Sequence, residues 1–278
     1  MTSEEGRREK QMKELTIVIL GAGEMASGIG HRLFSSHFTR ILMSEIRAPL
    51  TVRRQVAFSE AVHTGAKEVE GVRAELTDSP DAVQATWDRR AIAILVDEEA
   101  AFLKTVELDV LIDATMIKRP KGSLKVRAPK AGLVIGVGPG FSAPEQVDAV
   151  IESNRGHHLG RVIYEGEAER FTGTPGSVLG VTKERVLRAP HAGTVRPVRT
   201  IGEIVRKDDV VLYVDEAPVR AAIDGVVRGL IMPMTVQYDE KVGDVDPSGD
   251  PGRCTTISDK ARAIAGGVLE AVMHRFNG

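Results

Sequence analysis

The stretch that most constrains the fold of this chain runs from Leu15 to Gly30 and reads LTIVILGAGEMASGIG. Its first six residues carry no charge, which predicts a strand buried on both faces of a parallel sheet. A G-x-G-x-x-A turn follows, formed by Gly21, Gly23 and Ala26, and apolar residues then recur at helical spacing. A strand, a glycine turn and a helix in this order are typical of the start of a dinucleotide-binding βαβ unit.

The residues of this turn have separate tasks in binding a cofactor. Gly21 allows the tight turn, Gly23 lets a pyrophosphate approach the backbone, and Ala26 lets the helix pack closely on the strand. The first turn of the helix presents free N–H groups and a partial positive charge, and both favour a phosphate. The predicted cofactor-binding residues here are Gly21, Gly23, Glu24, Met25 and Ala26.

An acidic residue ends the second predicted strand, Arg40–Glu45. Glu45 lies 22 positions after Gly23, close to the spacing of about 20 at which a carboxylate meets a ribose hydroxyl. We therefore predict that Glu45 binds a ribose, with a solvated carboxylate at a strand end as the alternative. Arg47 follows two residues later and suits a 2′-phosphate, so NAD and NADP both stay open as the cofactor.

Basic residues beside this predicted nucleotide site are candidate phosphate ligands. Arg53 and Arg54 lie in a segment whose apolar spacing predicts a helix, and paired arginines bind phosphate bidentately; a solvated helix face is the alternative. Asp113 ends another predicted strand, at the edge where open α/β sheets bind ligands. Lys118 and Arg119 follow and add positive charge at the same edge.

A second glycine-rich turn comes after a further predicted strand. Two such turns after parallel strands line one crevice from two sides, and their exposed N–H groups suit a phosphate or another oxyanion. The alternative is a tight connection that Pro139 stiffens. The predicted cofactor-binding residues of this turn are Gly138, Pro139, Gly140 and Phe141. Mainly apolar runs predict strands over residues 91–97, 109–114 and 133–136, and a short helix is predicted over 98–106.

An internal repeat marks the second half of the chain. Residues 188–195 are echoed by residues 220–227 at an offset of 32, and a second glycine follows in each half, within 201–205 and 241–245. The phrase APHAGTV…IGEIVRKDDVVLYV resembles the biotinyl/lipoyl-like barrel-sandwich hybrid fold. Carrier members of that fold hold their prosthetic group on a lysine of the central hairpin. The hairpin here, 214–218, has no lysine, so we predict no covalent biotin or lipoate and a structural or docking module instead.

The C-terminal stretch predicts a helix with Ser258 as its N-cap. Gly266 and Gly267 interrupt this helix, and a close backbone contact is the expected reason. Cys254 precedes the helix as a candidate catalytic thiol of lowered pKa, with an inert cysteine as the alternative. No metal site is predicted, because neither the histidine pair 157–158 nor the carboxylates of 239–250 have metal-ligand spacing.

Composition narrows the classes of function. The chain has 278 residues, enough for two domains, and its formal charge of −2 gives no pull toward nucleic acid or an anionic membrane. One cysteine excludes an intrachain disulfide and fits a reducing cytoplasm. No apolar run approaches the roughly 18 residues of a membrane helix. The charged N-terminal stretch lacks the apolar region of a signal peptide, so a cytoplasmic location is expected.

Seven stretches together resemble the YqeB-type proteins, accessory factors of selenium-dependent molybdenum hydroxylases that are related in role to xanthine and carbon monoxide dehydrogenase maturation factors. They are GAGEMASGIGHRL, TVRRQVAFSEAV, DVLIDATMIKRP, LVIGVGPGF, RGHHLGRVIYEG, VLRAPHAGTV and CTTISDKARAIAGGVLEAV. The resemblance implies a maturation role for a molybdenum hydroxylase client, with the glycine turns binding a nucleotide or the molybdenum-pterin cofactor. It also implies sulfur or selenium transfer at Cys254. This chain departs from the family phrase AKRN, because Pro120 follows its basic pair.

The predicted fold class is α/β, with a Rossmann-like parallel sheet, an all-β barrel-sandwich hybrid module and a terminal helix. Two other functions stay open: an NAD(P)-dependent oxidoreductase with Lys118 as its proton donor, and a nucleotide-binding sensor without catalysis. A homo-oligomer is a further expectation. The predicted domains are a disordered tail over 1–13, the nucleotide-binding domain over 14–150, a connecting segment over 151–185, the hybrid module over 186–247, and a helix over 248–278 that packs back on the core.

Overall fold

The computed structural model of the protein describes residues 14–117, 131–171, 173, 174 and 176–277. The predicted tail over 1–13 and the candidate residues Lys118 and Arg119 therefore lie outside the described residues. The elements of the first part are β1 Thr16–Leu20, α1 Glu24–Ser35, β2 Arg40–Glu45, α2 Ala61–Thr64, β3 Ala66–Val69, β4 Val72–Thr77, α3 Val83–Asp88, β5 Ile92–Val96, β6 Val110–Asp113, β7 Leu133–Val137, β8 Ser142–Ala143, β9 Ala149–Ile151, β10 Val162–Ile163 and β11 Gly166–Glu167.

Nine of these strands form one sheet, in the order β10-β9-β7-β6-β1-β2-β5-β4-β3. All neighbouring pairs from β9 to β4 are parallel, and only the two edge pairs are antiparallel. The chain moves outward from β1 to β2 and later returns to the other side of β1 at β6. In parallel sheets, such a switch opens a crevice at the carboxyl ends of the strands.

The predicted strands are confirmed, and β1, β2, β5, β6 and β7 lie where the apolar runs indicate. The hairpin of β3 and β4 was not predicted. Its signal is the alternation of VRAELT, in which Val72 and Ala74 are buried while Arg73 is exposed. The predicted helix over 98–106 is wrong: only a 3₁₀ turn, Ala101–Lys104, forms there.

Both faces of the sheet are covered. Ile17 and Ile19 of β1 join one hydrophobic core with α1 and the C-terminal helix, whereas Val18 and Leu20 join a second core with α3. This alternation within one strand explains why β1 is apolar at every position.

The segment with Arg53 and Arg54 is not the predicted helix. It forms two 3₁₀ turns, Arg54–Val56 and Phe58–Glu60, before the four-residue α2. Tertiary contacts take its backbone groups, because the N–H of Phe58 donates to Ser27 Oγ at 2.7 Å and the N–H of Ser59 donates to the Ala22 carbonyl at 2.8 Å. The segment therefore buttresses the first glycine turn.

Residues 186–246 form what we call the β module, two four-stranded antiparallel sheets around one hydrophobic core. The sheet orders are β12-β19-β17-β14 and β16-β15-β13-β18. The strands are β12 Val186–Arg188, β13 Gly193–Pro197, β14 Ile204–Val205, β15 Val210–Val214, β16 Ala217–Arg220, β17 Gly225–Leu230, β18 Thr235–Val236 and β19 Lys241–Asp246.

The internal repeat is a pseudo-two-fold of this module. Exchanging β12–β15 for β16–β19 in order converts one sheet into the other. Arg188 donates to the Asp239 carbonyl at 2.7 Å, and its counterpart Arg220 donates to the Asp208 carbonyl at 2.8 Å. Asp208 and Asp239 both have left-handed backbones, with φ of 72° and 62°. The predicted correspondence of 201–205 with 241–245 is wrong by one strand, since 204–205 forms β14, whose counterpart is β18.

The chain ends in α4 Gly252–Thr255 and α5 Asp259–Phe276, and α5 lies in the core of the large sheet beside α1. The predicted cap is confirmed, because Ser258 accepts a hydrogen bond from the N–H of Ala261. A side chain at Gly267 would collide with the Gly160 carbonyl, so the predicted close contact is confirmed there. Gly266 has open space around it, and nothing in the structure explains that glycine. Within the described ranges, no helix is long and apolar enough to cross a membrane.

Candidate anion-binding site

The first glycine turn has the conformation that its sequence predicts. Gly21 has φ +90°, and a Cβ there would lie 3.2 Å from the Thr115 Cα, so only glycine fits. Gly23 is the N-cap of α1, and no side chain caps this helix. The nearest atom to a Cβ built on Gly23 is Thr51 Oγ1, 4.0 Å away. The N-terminus of α1 therefore has no side-chain cap, and Ala26 packs into the core.

Glu45 holds this turn in place. Its carboxylate accepts the N–H of Ala22 at 2.9 Å and the N–H of Ile46 at 2.8 Å, one on each oxygen. Burial raises the pKa of Glu45, and the two N–H donors oppose that rise. Because β2 places Glu45 beside the turn, a ribose bound there would meet a carboxylate that already has a structural task. Its role as the ribose ligand stays a prediction.

The paired arginines have different surroundings. Arg54 is bound bidentately by Glu60, at 2.9 and 2.8 Å, so its guanidinium is occupied within the protein. Arg53 is 4% exposed and pairs with Glu24, the first residue of α1, at 3.4 Å. Arg53 also donates to the carbonyls of Arg253 and Thr256, at 3.0 and 3.1 Å. Only Arg53 therefore lies at the N-terminus of α1 as a candidate for balancing an anion.

The other predicted binding residues lie along the same sheet edge. Asp113 is buried and accepts both the N–H and the hydroxyl of Thr115. A Cβ on Gly138 would lie 2.6 Å from Ser153 Oγ and 3.7 Å from Met116 Cε. The residues after β6 thus separate the two glycine turns, which lie on either side of them.

The second turn is packed against itself. The N–H of Gly138 donates to the Ile151 carbonyl at 2.9 Å, and Gly138 and Gly140 have φ of +82° and +101°. The ring of Phe141 is buried over Gly136 and occupies the space where a Cβ would be. Pro139 and Gly140 form the half-buried tip. These contacts favour the tight connection over an anion cradle at Gly138.

The structure does not favour Cys254 as a nucleophile. Its side chain is 2% exposed, and its Sγ lies 3.7 Å from the Val227 carbonyl. Burial raises the pKa of the thiol, although Arg53 and Arg228 act in the opposite direction. A buried thiol with a raised pKa carries little thiolate at neutral pH. Lowered-pKa chemistry at Cys254 is therefore a wrong expectation.

Two lysines that the sequence did not single out as ligands have lowered pKa values. Burial lowers the pKa of Lys241, at the start of β19, and of Lys260, in the first turn of α5. The negative charge of Glu24 opposes this fall for both lysines. No local motif marks these residues, because they come from three distant parts of the chain.

The β module contacts the first part of the protein at Val52. The N–H of Leu230 in β17 donates to the Val52 carbonyl at 2.8 Å, and Gly229 lies against Val52 so closely that a Cβ would be 2.8 Å from its carbonyl oxygen. Val52 directly precedes Arg53. The β module therefore meets the first part of the protein at the residue before Arg53.

No protein-family model matches this chain. Along 259 residues, or 92% of its length, the chain is 43% identical to the uncharacterized protein YqeB of Escherichia coli K12. This chain is similar in sequence to YqeB along almost its whole length. The predicted YqeB-type resemblance is confirmed at the level of sequence similarity. The chain spans about half the length of YqeB, 47% of it, so YqeB has a large part with no counterpart in the match.

Solved structures give only distant likenesses. They include the product-bound ectoine utilization protein EutE from Ruegeria pomeroyi (11% identity, TM-score 0.22, covering 77% of this chain and 61% of that one). An aspartoacylase family protein from Mesorhizobium loti has 12% identity and a TM-score of 0.23, with coverages of 83% and 84%. The succinylglutamate desuccinylase/aspartoacylase from Rhodobacter sphaeroides has 12% identity and a TM-score of 0.28, with coverages of 83% and 85%. TM-scores this low carry no argument about function.

Among the residues that the structure describes, no three His, Cys, Asp or Glu side chains are grouped to hold a metal ion. His157 and His158 contact each other edge to face, with ring centroids 5.0 Å apart. The chemistry that the described site offers is therefore electrostatic, with a helix N-terminus beside the ion pair of Arg53 and Glu24.

Proposed function

We propose that the N-terminus of α1 binds a phosphate of a nucleotide or of the molybdenum-pterin cofactor, and that the protein is an accessory factor in maturing a molybdenum hydroxylase. One observation carries the binding proposal: α1 begins at Gly23 with no side-chain cap, and a Cβ built on Gly23 comes no closer than 4.0 Å to any other atom, Thr51 Oγ1. Uncapped N–H groups at such an end are donors that a phosphate satisfies.

The surroundings fit a cofactor of this kind. Arg53 supplies a cation at the first residue of α1. Ile46 and Met116, each 39% exposed, come after β2 and β6 and offer apolar surface to a flat ring on the two sides of the turn. When bound, the cofactor would supply the molybdenum or nucleotide chemistry, and this chain would hold its phosphate.

The maturation role rests on the YqeB-type resemblance and on the similarity to YqeB, whose own function is uncharacterized. We also propose that the large sheet is Rossmann-like and that the β module is a barrel-sandwich hybrid. The switch in strand order beside β1 supports the first assignment, and the exchange of the two sheets by the pseudo-two-fold supports the second.

An NAD(P)-dependent oxidoreductase is the second candidate, and the position of Glu45 at the end of β2 favours it. Its proposed proton donor, Lys118, lies outside the described residues. A sensor that binds a nucleotide without catalysis uses the same site. Turnover of the bound cofactor separates the oxidoreductase from the other two functions, and the deletion test below separates the maturation factor from the sensor.

The binding proposal is tested by calorimetry with NAD, NADP and molybdenum-pterin cofactor, using Gly23→Val. The φ of −68° at Gly23 accepts valine, so the variant is expected to fold and to lose at least tenfold in affinity by blocking the phosphate. Gly266→Ala is the matched control, since it fills open space in a helix. It should bind as the wild type does and gain about 0.5 to 1 kcal/mol in stability. Equal affinity of Gly23→Val and wild type overturns the proposed site.

The maturation role has a separate test. Deleting the gene should lower the activity of a molybdenum hydroxylase in the host, and the Gly23→Val allele should fail to restore it. Full activity of that enzyme in the deletion strain overturns the role and leaves the binding proposal to the calorimetry.

A further inference from the structure

A pair of hydroxyl groups lies beside the first glycine turn, and the proposed function does not use it. The atom nearest to a Cβ built on Gly23 is Thr51 Oγ1, 4.0 Å away. Thr51 Oγ1 lies 2.8 Å from Ser59 Oγ, which is a hydrogen-bond distance. The N–H of Ser59 donates to the Ala22 carbonyl at 2.8 Å and fixes Ser59 against the turn. The Thr51 hydroxyl therefore has a defined place beside the start of α1.

Burial decides which of the two hydroxyl groups is the donor in this pair. Ser59 is 0% exposed, so no solvent reaches its hydroxyl hydrogen. Among the described residues, the only oxygen with which the Ser59 hydroxyl forms a hydrogen bond is Thr51 Oγ1. Buried hydroxyl groups nearly always have a hydrogen-bond partner in native proteins. Ser59 is therefore the donor, and Thr51 accepts.

This direction leaves the hydrogen of the Thr51 hydroxyl without an acceptor among the described residues. Thr51 is half-buried, so part of its surface stays accessible to a ligand. The N–H groups of Glu24 and Met25 likewise have no acceptor within that part of the chain, because no side chain caps α1. An oxyanion accepts hydrogen bonds both from hydroxyl groups and from the N–H groups of a helix start.

Arg53 gives an independent sign of a missing acceptor in this place. The residue is 4% exposed, and within the described ranges its Nε has no hydrogen-bond partner. Buried side-chain donors nearly always have a partner in native proteins. Its Nη1 lies 3.4 Å from the carboxylate of Glu24, the first residue of α1. Thr51 and Arg53, two positions apart, therefore each keep a donor that no described residue satisfies.

We propose that Thr51 is a ligand of the bound phosphate, and that its hydroxyl donates a hydrogen bond to a phosphate oxygen at the N-terminus of α1. Ser59 is a positioning residue, because its own hydrogen bond to Thr51 Oγ1 turns the Thr51 hydrogen away from the protein. Thr51 acts on the same phosphate as the proposed function, on which this role rests, and it adds a ligand from outside the glycine turn. A hydroxyl donor suits the phosphate of a nucleotide and that of the molybdenum-pterin cofactor alike.

Calorimetry on the full chain with inorganic phosphate, NAD and NADP tests the role of Thr51. Thr51→Val keeps the shape of the side chain and removes the donor, so it should weaken binding at least tenfold, as expected for a lost hydrogen bond to a charged group. Thr51→Ser keeps the hydroxyl and should bind within threefold of the wild type. Thr64→Val is the matched control. It removes a hydroxyl that donates to the carbonyls of Glu60 and Ala66, and it should leave the affinity unchanged.

A double variant separates loss of the ligand from loss of stability. Thr51→Val alone leaves the Ser59 hydroxyl buried without an acceptor, so it should also lower the unfolding temperature. Adding Ser59→Ala removes that buried donor, so the unfolding temperature should return toward the wild-type value while the affinity stays at least tenfold weaker. Recovery of the affinity in the double variant would overturn the role of Thr51 as a ligand, because its effect would then pass only through Ser59.

The outcomes separate this role from the proposed function. Wild-type affinity in Thr51→Val, together with weakened binding by Gly23→Val, overturns the role of Thr51 and supports the proposed site. Weakened binding by Thr51→Val and by the double variant, together with wild-type binding by Gly23→Val, supports a ligand at Thr51 and overturns the site at α1. No binding of any of the three probes to the wild type at millimolar concentration overturns both.

Discussion

The two halves of the β module, β12–β15 and β16–β19, share their strands and hydrogen bonds but differ in what their outer faces touch. In the second half, Asp246 is 1% exposed and lies within 4.0 Å of Arg228 and Arg253. Its counterpart in the first half, Asp215, has a side chain that is 53% exposed. The second half packs against the first part of the protein, and the first half faces solvent.

The two halves of the β module are alike on their inner faces and differ on their outer faces. Inward positions of the repeat are the same in both halves: Val211 and Val242 are both fully buried, as are Val195 and Val227. Outward positions have diverged. Arg196 of the first half stacks over the ring of Tyr213 at 4.5 Å, at an exposed place. The residue corresponding to Tyr213 is Asp244, which pairs with Arg185 and Lys241. The buried residues that the two halves share preserve the fold, whereas the outward residues differ according to what each half contacts.

The largest difference between the halves is expected at this last pair. Asp244→Asn removes the carboxylate that pairs with Arg185 and Lys241. Breaking such a buried ion pair costs about 3 kcal/mol in unfolding free energy. Tyr213→Phe keeps the ring and should change stability by less than about 0.5 kcal/mol. Urea unfolding measures both. Similar losses in the two variants would contradict the asymmetry of the halves.

A smaller difference is expected at two equivalent glycines that begin β13 and β17. A Cβ on Gly225 would collide with the main-chain oxygen of Asp246, which cannot move without shifting β19. A Cβ on Gly193 would first meet the Asp215 carboxylate, which can rotate into solvent. Gly225→Ala should therefore cost about 2 to 3 kcal/mol and Gly193→Ala about 1 kcal/mol. A larger loss of stability in Gly193→Ala than in Gly225→Ala, measured by thermal unfolding, would contradict this difference between the halves.

The smallest effect is expected at the ion pair between Arg155 and Asp259, which joins the loop after β9 to the start of α5. The bidentate Arg155 lowers the pKa of Asp259 to about 2, against partial opposition from burial. A folded-state pKa below the ordinary 3.8 means that the pair stabilises the protein above about pH 4 and loses this effect as pH falls toward 2. Because the Asp259 side chain is 69% exposed, solvent screening limits the effect to about 1 kcal/mol.

Asp259→Asn should therefore be less stable than wild type at pH 6 and nearly equal to it at pH 2. Urea midpoints across this range measure the convergence. In the Arg155→Gln background the same substitution should have almost no effect at either pH. A constant difference between Asp259→Asn and wild type across the range would show that the ion pair is not its cause.

Local sequence patterns predicted much of the large sheet and part of the site. The mainly apolar runs predicted five strands, and the G-x-G-x-x-A turn predicted the tight turn at Gly21 and the start of α1 after it. The segment around Arg53 was misread as a helix because its apolar spacing reflects contacts with Ser27 and Ala22, not an amphipathic face. The contacts of the second glycine turn with Ile151 and Ser153 favour the tight connection, and no local pattern could predict them because they are long-range.

The sequence by itself determined the parallel sheet, the glycine turn and the duplication of the β module, because each follows from neighbouring residues or from a repeat. Only the tertiary structure decided which half of the duplication meets the sheet and that Cys254 is buried. The first of these depends on packing between residues far apart in the chain, as in the bond from Arg53 to the Arg253 carbonyl, 200 positions away. Residues so distant in the chain leave no local pattern.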